Sequence, residues 1–562
     1  GTINAGTDGD SSLGKVVKLQ GDVVATGDTG VVNVTLDQAT SYLQGNVRNL
    51  ENGEVNLLVA NGATWKPVYD NRYGTFYDNA TAATYSQSYT VTDNAISKLA
   101  LSEGGSVDLT WDNRERDPYT APRTLKISNL YGNNGILKIN SNLAHGIADQ
   151  VTVDNISSDV KTVGIDVRYD PYLATAGLAK DNRINGSALV LKGSGVSGLT
   201  AVNGIPDSYN TYDYVPTITK IADSAYALTA LTITNVTAPT EPTNPTEPTN
   251  PTEPTNPGKT NLTAPSRPMR DARHDRMATH NLWVNGELNN MQKRMGDLRA
   301  ATPAESGIWA RYEYNKLEKG SDSSLKYNMF QLGYDKDFAG KSGTFYRGAA
   351  FSYAKGNGTY EISTGDIKQG ALSLYQTWIG KDGRYYDVIL KGGKLMSSYD
   401  ITATTNVASA DYSTWAYSIS GEVGKRFKKS NGFYVEPQLE VTLGRINGAD
   451  YTTSTGMNVS ASGQNTALAR IGVGVGQETG NGSYYFKASY YHDFGGGLNL
   501  TASDSTTNPY SYGEDTAKNW AVFTLGGQAK AGKNCNIYGE LSKYAGQLTN
   551  NVMVNIGARW SF

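Results

Sequence analysis

The chain closes on a strict alternation. From Asn551 to Phe562, the residues Val552, Val554, Ile556, Ala558, Trp560 and Phe562 are apolar, and those between them are polar or small except Met553. Side chains of a strand point to opposite faces in turn, so about ten such residues fit a tilted strand with one face to lipid and one to a wet lumen. A soluble edge strand can alternate in the same way. What separates the two is recurrence: the pattern repeats back to about residue 307. Roughly twelve segments carry it, an even number as bacterial barrels require. They start near Trp309, Lys326, Thr344, Lys368, Arg384, Ser413, Phe433, Thr466, Tyr484, Asn519, Asn536 and Val552. Gly356-Asn357-Gly358 and Lys381-Asp382-Gly383 offer turn chemistry between strands, and Thr501 to Asp515 reads as an extracellular loop.

Alternation also assigns faces. Tyr386, Val388 and Leu390 share one face of the fifth strand, with Asp387 and Lys391 on the other. In the sixth, Trp415, Tyr417, Ile419 and Val423 oppose Ser418, Ser420 and Glu422. In the seventh, Phe433, Val435, Leu439 and Val441 oppose Glu436, Gln438 and Glu440, and in the eighth a row from Ala467 to Val475 opposes Arg470. A charge facing lipid near the midplane costs about 2–4 kcal/mol for a cation and less for a carboxylate. Asp387, Glu422, Glu440 and Arg470 are therefore expected to point into the lumen from four adjacent strands, as one acid–base patch. That patch can hold a basic helix in place, or it can do chemistry.

Upstream of the barrel, Ser266-Arg267-Pro268 offers a helix start, and Arg270 to Arg299 contains no Pro. Arg270, Arg273, Arg276, Lys293, Arg294 and Arg299 make this stretch basic, with scattered apolar contacts at Met277, Leu282, Trp283, Leu288, Met291 and Met295. A basic amphipathic helix can bind a membrane surface; a polar helix threading an acidic barrel lumen fits the pattern better. Before it, Thr240-Glu241-Pro242-Thr243-Asn244-Pro245 begins a threefold repeat that ends at Pro257. Pro at every third position fixes φ and removes donors, which predicts a polyproline II spacer of roughly 55 Å at ~3.1 Å per residue. A PxxP recognition role is the lesser reading.

Residues 1–236 are polar and β-rich. Short apolar runs such as Val31 to Leu36, Val55 to Val59, Val107 to Leu109, Leu125 to Ile127, Ile136 to Ile139 and Val151 to Val153 are separated by turn residues. They suggest coils of a parallel β-solenoid. No strict period is present, so a β-sandwich remains open. The division expected is 1–236 solenoid, 237–266 linker, 267–306 plug helix and 307–562 barrel.

Composition narrows the function. Only 38% of residues are hydrophobic and no apolar run is long enough for a transmembrane helix, as expected when half of each strand faces water. Sixty-two Gly and 37 Tyr suit turns and membrane interfaces. A net charge of −3 argues against a nucleic-acid partner. One cysteine, Cys535, excludes an internal disulfide and a cysteine zinc site, and the four His show no metal-ligand spacing; no cofactor is implied. An outer-membrane protein needs a secretory signal, and Gly1-Thr2-Ile3 begins directly in strand-like sequence, so the natural N-terminus is expected to lie further upstream.

Glu287-Leu288-Asn289-Asn290-Met291-Gln292-Lys293-Arg294-Met295-Gly296-Asp297-Leu298-Arg299 closely resembles the linker-helix motif of classical (type Va) autotransporters, above all the serine-protease autotransporters of enteric bacteria. Gly307-Ile308-Trp309-Ala310-Arg311, Gly421-Glu422-Val423-Gly424, Val435-Glu436-Pro437-Gln438-Leu439-Glu440 and Arg559-Trp560-Ser561-Phe562 fit the same family. Leu58 to Trp65 and Ala148 to Val153 look like the pertactin-like, autochaperone end of such passengers. The repeated Pro linker departs from the enteric group. The resemblance implies an all-β fold with one plug helix: a C-terminal twelve-stranded transmembrane β-barrel and a right-handed parallel β-solenoid fragment.

It also implies a function. The barrel would be a monomer in the bacterial outer membrane, taking its own passenger to the cell surface. Partners implied are outer-membrane lipid, the inner-membrane secretion channel, periplasmic chaperones, the barrel-assembly machinery reading Phe562, and a host surface ligand of the passenger. In the enteric group the passenger is released by cleavage between the two Asn of the motif, here Asn289 and Asn290. The Asn289 side-chain amide would attack its own backbone carbonyl in a single-turnover reaction, and Asp387, Glu422 and Glu440 sit where the family's luminal acids would be. Asp387 is matched only through the context Tyr385-Tyr386-Asp387. The alternative is an uncleaved, surface-displayed adhesin, which the rigid spacer favours. A third reading makes the upstream passenger a serine protease, but Gly9-Asp10-Ser11 lacks a following Gly and no His precedes it.

Overall fold

The computed structural model describes residues 2–3, 15–49, 52–67, 73–78, 83–88, 93–110, 122–168, 182–203, 206–236, 259–285, 306–320, 323–550 and 552–562. It divides into two compact units, residues 1–266 with 404–406, and residues 267–403 with 407–562.

In the first unit the short apolar runs stack in parallel. Thr2–Ile3, Val31–Leu36, Glu54–Val59, Asp93–Leu101, Thr124–Tyr131, Gln150–Ile156 and Arg183–Lys192 form one ladder, and seven further strands from Lys18–Gln20 to Thr200–Asn203 form a second. Parallel registers such as Val34 to Leu57 and Leu57 to Leu99 put one apolar residue over the next. Val34, Leu57, Leu99 and Leu130 make a column at most 2% exposed. Parallel coils identify a β-solenoid and dismiss the sandwich, whose neighbouring strands would run antiparallel. The last coil is capped by antiparallel strands Ala225–Ile233, Tyr212–Ala222 and Asp207–Tyr209, which cover an edge that would otherwise template further pairing. The Pro-rich repeat, Thr240 to Pro257, lies outside the described residues. Residues 259–266 do not continue an extended spacer: Leu262 bridges Val236, and Asn235 Nδ2 donates to the Ala264 carbonyl at 3.0 Å.

Among its described residues the second unit has one helix, α1 (Arg267–Asn285), and twelve long strands. These are β1 (Gly307–Glu318), β2 (Ser324–Ala339), β3 (Gly343–Thr359), β4 (Ser363–Gly380), β5 (Arg384–Ile401) and β6 (Ala408–Lys425). They continue with β7 (Phe433–Ile446), β8 (Gln464–Thr479), β9 (Gly482–Asp493), β10 (Asn519–Lys530), β11 (Cys535–Gly546) and β12 (Met553–Ser561). Each pairs antiparallel with the next, and β12 pairs back with β1 from Gly307 with Ser561 to Tyr314 with Val554, which closes the barrel. Every predicted strand exists. Gly356-Asn357-Gly358, expected as a turn, belongs to β3, and the chain reverses at residues 360–362 instead, because all three residues stay paired with β4.

Exposure follows the alternation. Leu372, Leu374, Leu390, Ile419, Leu443, Ile471, Leu525 and Ile556 are 45–67% exposed on the outer wall, an apolar belt only a bilayer would cover. Short connections at 340–342, 381–383, 426–432, 480–481 and 531–534 mark the periplasmic end. The opposite, extracellular end carries the long connections 447–463 and 494–518. The expected Thr501–Asp515 loop is itself ordered there, as part of a four-stranded sheet of Ala449–Thr452, Asn458–Ala461, Leu498–Ser503 and Tyr510–Glu514.

Near the periplasmic end, every second strand pair, from β1–β2 to β11–β12, is locked by an inward aromatic ring lying on a glycine directly opposite. The pairs are Trp309 on Gly333, Tyr375 on Gly348, Tyr385 on Gly424, Tyr434 on Gly476, Tyr485 on Gly526 and Tyr538 on Gly557. A Cβ on any of these glycines would lie 2.3–2.5 Å from ring atoms. Trp309 Nε1 donates to Tyr375 Oη at 2.8 Å, Tyr375 donates to Asp335 at 3.0 Å, and Arg559 meets the same carboxylate at 2.8 and 2.6 Å. Gly333→Val should therefore cost about 1–3 kcal/mol by overpacking. Its barrel should lose its heat-resistant fast migration in gels at a lower temperature than wild type. Gly392→Val, with nothing within 4 Å on the lipid face, should not.

Candidate functional site in the barrel lumen

Helix α1 is polar and almost wholly buried, a combination a soluble core would not accept. It persists because the lumen wall supplies partners. Asp271 accepts from the backbone N–H of Glu361 and Ile362 at 3.0 and 2.9 Å and from Ser363 Oγ at 2.7 Å. One turn on, Asp275 accepts from Tyr360 Oη at 2.8 Å, Ser397 Oγ at 2.9 and 2.8 Å, and Tyr412 Oη at 2.8 Å. Spacing of i and i+4 puts both carboxylates on one helix face. Arg270 reaches Glu361 and Arg273 reaches Glu514, both at the extracellular end. At the other end of the helix, Lys391 Nζ donates to the Trp283 carbonyl at 3.0 Å and lies 3.7 Å from the centre of its indole. That cation adds a charged donor to a carbonyl in the last described turn of the helix, where the dipole is negative.

Asp387, Glu422, Glu440 and Arg470 are brought together as the alternation implied. They are register neighbours across β5, β6, β7 and β8, each at most 4% exposed. Arg470 donates to Glu440 at 2.8 Å and to Gln438 at 2.9 Å, and its second terminal nitrogen lies 3.2 Å from Glu422. Tyr385 Oη donates to Glu422 at 2.6 Å and Thr377 Oγ1 to Asp387 at 2.5 Å. Like charges on directly opposed strands repel, so one guanidinium with a rigid fork of donors is what lets two of the carboxylates share a water-poor site.

The row does not neutralise the described part of the helix. Among the described residues, the helix cations Arg270 and Arg273 find Glu361 and Glu514, while the row's carboxylates find Arg470, Tyr385 and Thr377. Between the helix end and the row lies a cavity of about 20 Å³, lined by Trp283, Val284, Lys391, Ser418, Ser420 and Glu440 among others. It has room for roughly one water. Asn289 and Asn290 lie outside the described residues, as does Gly9-Asp10-Ser11. Asp271, Asp275 and the tyrosine partners of Asp275 escaped the sequence reading; the signal that could have found the aspartates is their i and i+4 spacing in an otherwise basic helix.

A closed, twelve-stranded barrel with an apolar wall, a polar lumen and a helix inside it is an integral outer-membrane protein. Residues 308–542 match the family described as Autotransporter beta-domain. The chain is 27% identical over 268 residues to the pertactin autotransporter of Bordetella parapertussis, covering 46% of this chain and 28% of that protein. It is 27% identical over 288 residues to the BrkA autotransporter of Bordetella pertussis (49% and 28%). With the serine protease SepA autotransporter of Shigella flexneri it shares 28% identity over 302 residues (52% and 22%). Among solved structures it is similar to the β-domain of the Bordetella autotransporter BrkA, at 25% identity and a TM-score of 0.38, covering 46% of this chain and 100% of that one. The matched part of the chain spans about a quarter of the length of these relatives. Residues 308–542 are thus similar to the β-domains of autotransporters.

Two outcomes test the site's electrostatics. Arg470→Gln leaves Glu422 and Glu440 buried without their cation, and should destabilise the barrel by about 3–5 kcal/mol in urea unfolding. Adding Glu440→Gln should restore part of that loss. Asp275→Ala removes the shared acceptor of Tyr360, Ser397 and Tyr412, at a cost of about 3 kcal/mol or more. Planar-bilayer recordings should then show more frequent channel openings as the helix loosens.

Proposed function

We propose that the chain is the membrane-anchored end of an autotransporter that carries its own N-terminal passenger to the cell surface, and that the passenger is released by cleavage of the Asn289–Asn290 bond inside the barrel. The observation that carries the cleavage reading is the in-register row Asp387–Glu422–Glu440–Arg470, of which Glu440 lines a water-sized cavity that Trp283 and Val284 of α1 also line. Asn285, the last residue of that helix, lies four positions before Asn289. In the reaction, the Asn289 side-chain nitrogen attacks its own backbone carbonyl carbon. The new C–N bond closes a succinimide, the peptide bond to Asn290 breaks, and the amine of Asn290 leaves. A carboxylate of the row takes the proton lost by the amide, and a proton is returned to the departing amine. The reaction turns over once and needs no cofactor.

The second reading, a passenger that stays attached as a displayed adhesin, is favoured by the threefold Pro repeat, since a stiff spacer holds a displayed domain away from the membrane. In both readings the solenoid is the membrane-proximal end of the passenger and assists its folding outside the cell. The terminal strand and Phe562 would be read by the assembly machinery, with chaperones in the periplasm and a host surface ligand at the passenger.

Mass spectrometry of the outer-membrane barrel from cells expressing the full gene separates the two readings. Self-release predicts a barrel beginning at Asn290, no cleavage in Asn289→Asp, and a rate reduced by about 10²-fold or more in Glu440→Gln, the scale of losing a proton-transfer group. A barrel still joined to its passenger would sink the cleavage reading and leave the adhesin. Deleting Phe562 should lower the amount of folded barrel in the outer membrane without changing the cleavage site of whatever assembles.

A further inference from the structure

The turn joining β6 to β7 reads Lys425-Arg426-Phe427-Lys428-Lys429-Ser430-Asn431-Gly432-Phe433. It lies at the periplasmic end of the barrel. Phe427 is 54% exposed and Phe433 37%, and Lys428 and Lys429 are exposed beside them. Lys425 Nζ lies 5.0 Å from the Phe427 ring centre, and Lys429 Nζ lies 5.9 Å from that of Phe433. Arg426 behaves differently. It is buried over the Tyr434 ring and paired with Glu436 at 2.6 Å and Glu478 at 2.7 Å. Glu478 also takes Lys428, and nearby Asp382 is matched by Arg384. The surrounding carboxylates are thus engaged, and the turn keeps an excess of positive charge at its outer edge.

Directly above the turn the outer wall is apolar: Val423, Leu439, Val441, Val473 and Val475 are 38–50% exposed. Cations and aromatic rings that border such a belt lie at the level of lipid head groups, the rings in the interface and the ammonium groups at the phosphates. Lys341 and Lys381 extend the positive charge along other periplasmic turns, with Arg347 near the start of β3.

We propose that the 425–433 turn is a binding site for anionic phospholipid of the periplasmic leaflet. Lys425 and Lys429 hold the phosphate, and Phe427 and Phe433 seat the glycerol and upper acyl chain. An anionic lipid is favoured over an acidic protein because the cations are interleaved with exposed rings and continue into the lipid-facing belt. A protein interface would not need that continuity.

The test uses the full chain in detergent micelles, with phosphatidylglycerol titrated against phosphatidylethanolamine of the same acyl chains and bound lipid counted by native mass spectrometry. Wild type should prefer phosphatidylglycerol. The triple variant K425Q/K428Q/K429Q should lose that preference by about fivefold or more, since each interfacial lysine contributes about that factor. K326Q/K355Q/K368Q, which removes as many exposed lysines at the extracellular end, should keep it. Equal loss in both triples, or no preference in wild type, overturns the site. So does an unchanged preference in the first triple accompanied by loss of a cross-link to a periplasmic protein, which would give the turn to a protein partner. Heat-modified migration in gels reports whether each barrel has folded. K429Q alone, whose side chain lies outside the strand ladder, repeats the test with a smaller loss in the same direction should the triple not assemble.

Discussion

The structure depends on one constraint: in hydrocarbon, every backbone N–H and C=O must be bonded within the protein. An open sheet leaves two unbonded edges, each group costing several kcal/mol, so the sheet has to close. Here closure is made by the ladder from Gly307 with Ser561 to Tyr314 with Val554. Every other strand inherits its inside and outside from that ring, because antiparallel neighbours keep alternate side chains on a common face. The last residues of the chain and the first of the barrel are therefore partners, and the terminal alternation is the seam of the whole assembly.

Closure creates an interior that must be filled. A twelve-stranded wall encloses more space than its own side chains occupy, and the filling is a helix whose polar residues would be costly in any other core. It is tolerable here because the wall offers hydroxyls to Asp275, backbone donors to Asp271, and an ammonium to the Trp283 carbonyl. The glycine–aromatic joints below it solve the opposite problem. Near the periplasmic end, a ring can lie against the opposite strand only where that strand presents no Cβ, as Trp309 does on Gly333.

The same geometry concentrates charge. Once Asp387, Glu422, Glu440 and Arg470 are all excluded from the lipid face, register alone makes them neighbours, and their low exposure removes the water that would otherwise screen them. The guanidinium of Arg470 is then a requirement of the fold before it is a feature of any reaction. The carboxylates it holds keep a buried acceptor set beside a cavity at the end of the helix. The barrel's two polar groupings differ in character: hydroxyls around helix carboxylates near the outer mouth, and a cation among wall carboxylates further toward the periplasmic end.

Much of this was legible in the chain. A period of two over about ten residues fixes which side chains meet lipid, and a charge on the wrong side is expensive enough that the luminal direction of Asp387, Glu422, Glu440 and Arg470 follows without a structure. Parallel coils upstream were legible as apolar runs between turn residues, though not their antiparallel cap, since pairing direction has no local signature. Periodicity says which face a residue takes, never which residue stands opposite it. So the direct register of the four charges, the partners of Asp271 and Asp275, the ring-on-glycine joints and the sheet within the long loops were decided only when the strands paired. These features join residues as far apart in sequence as Asp275 and Tyr412, or Asp335 and Arg559. Sequence alone determined what each strand shows to lipid and to water. Tertiary structure alone determined what those inward groups do to one another, because that depends on strand register and closure, which no local stretch of the chain encodes.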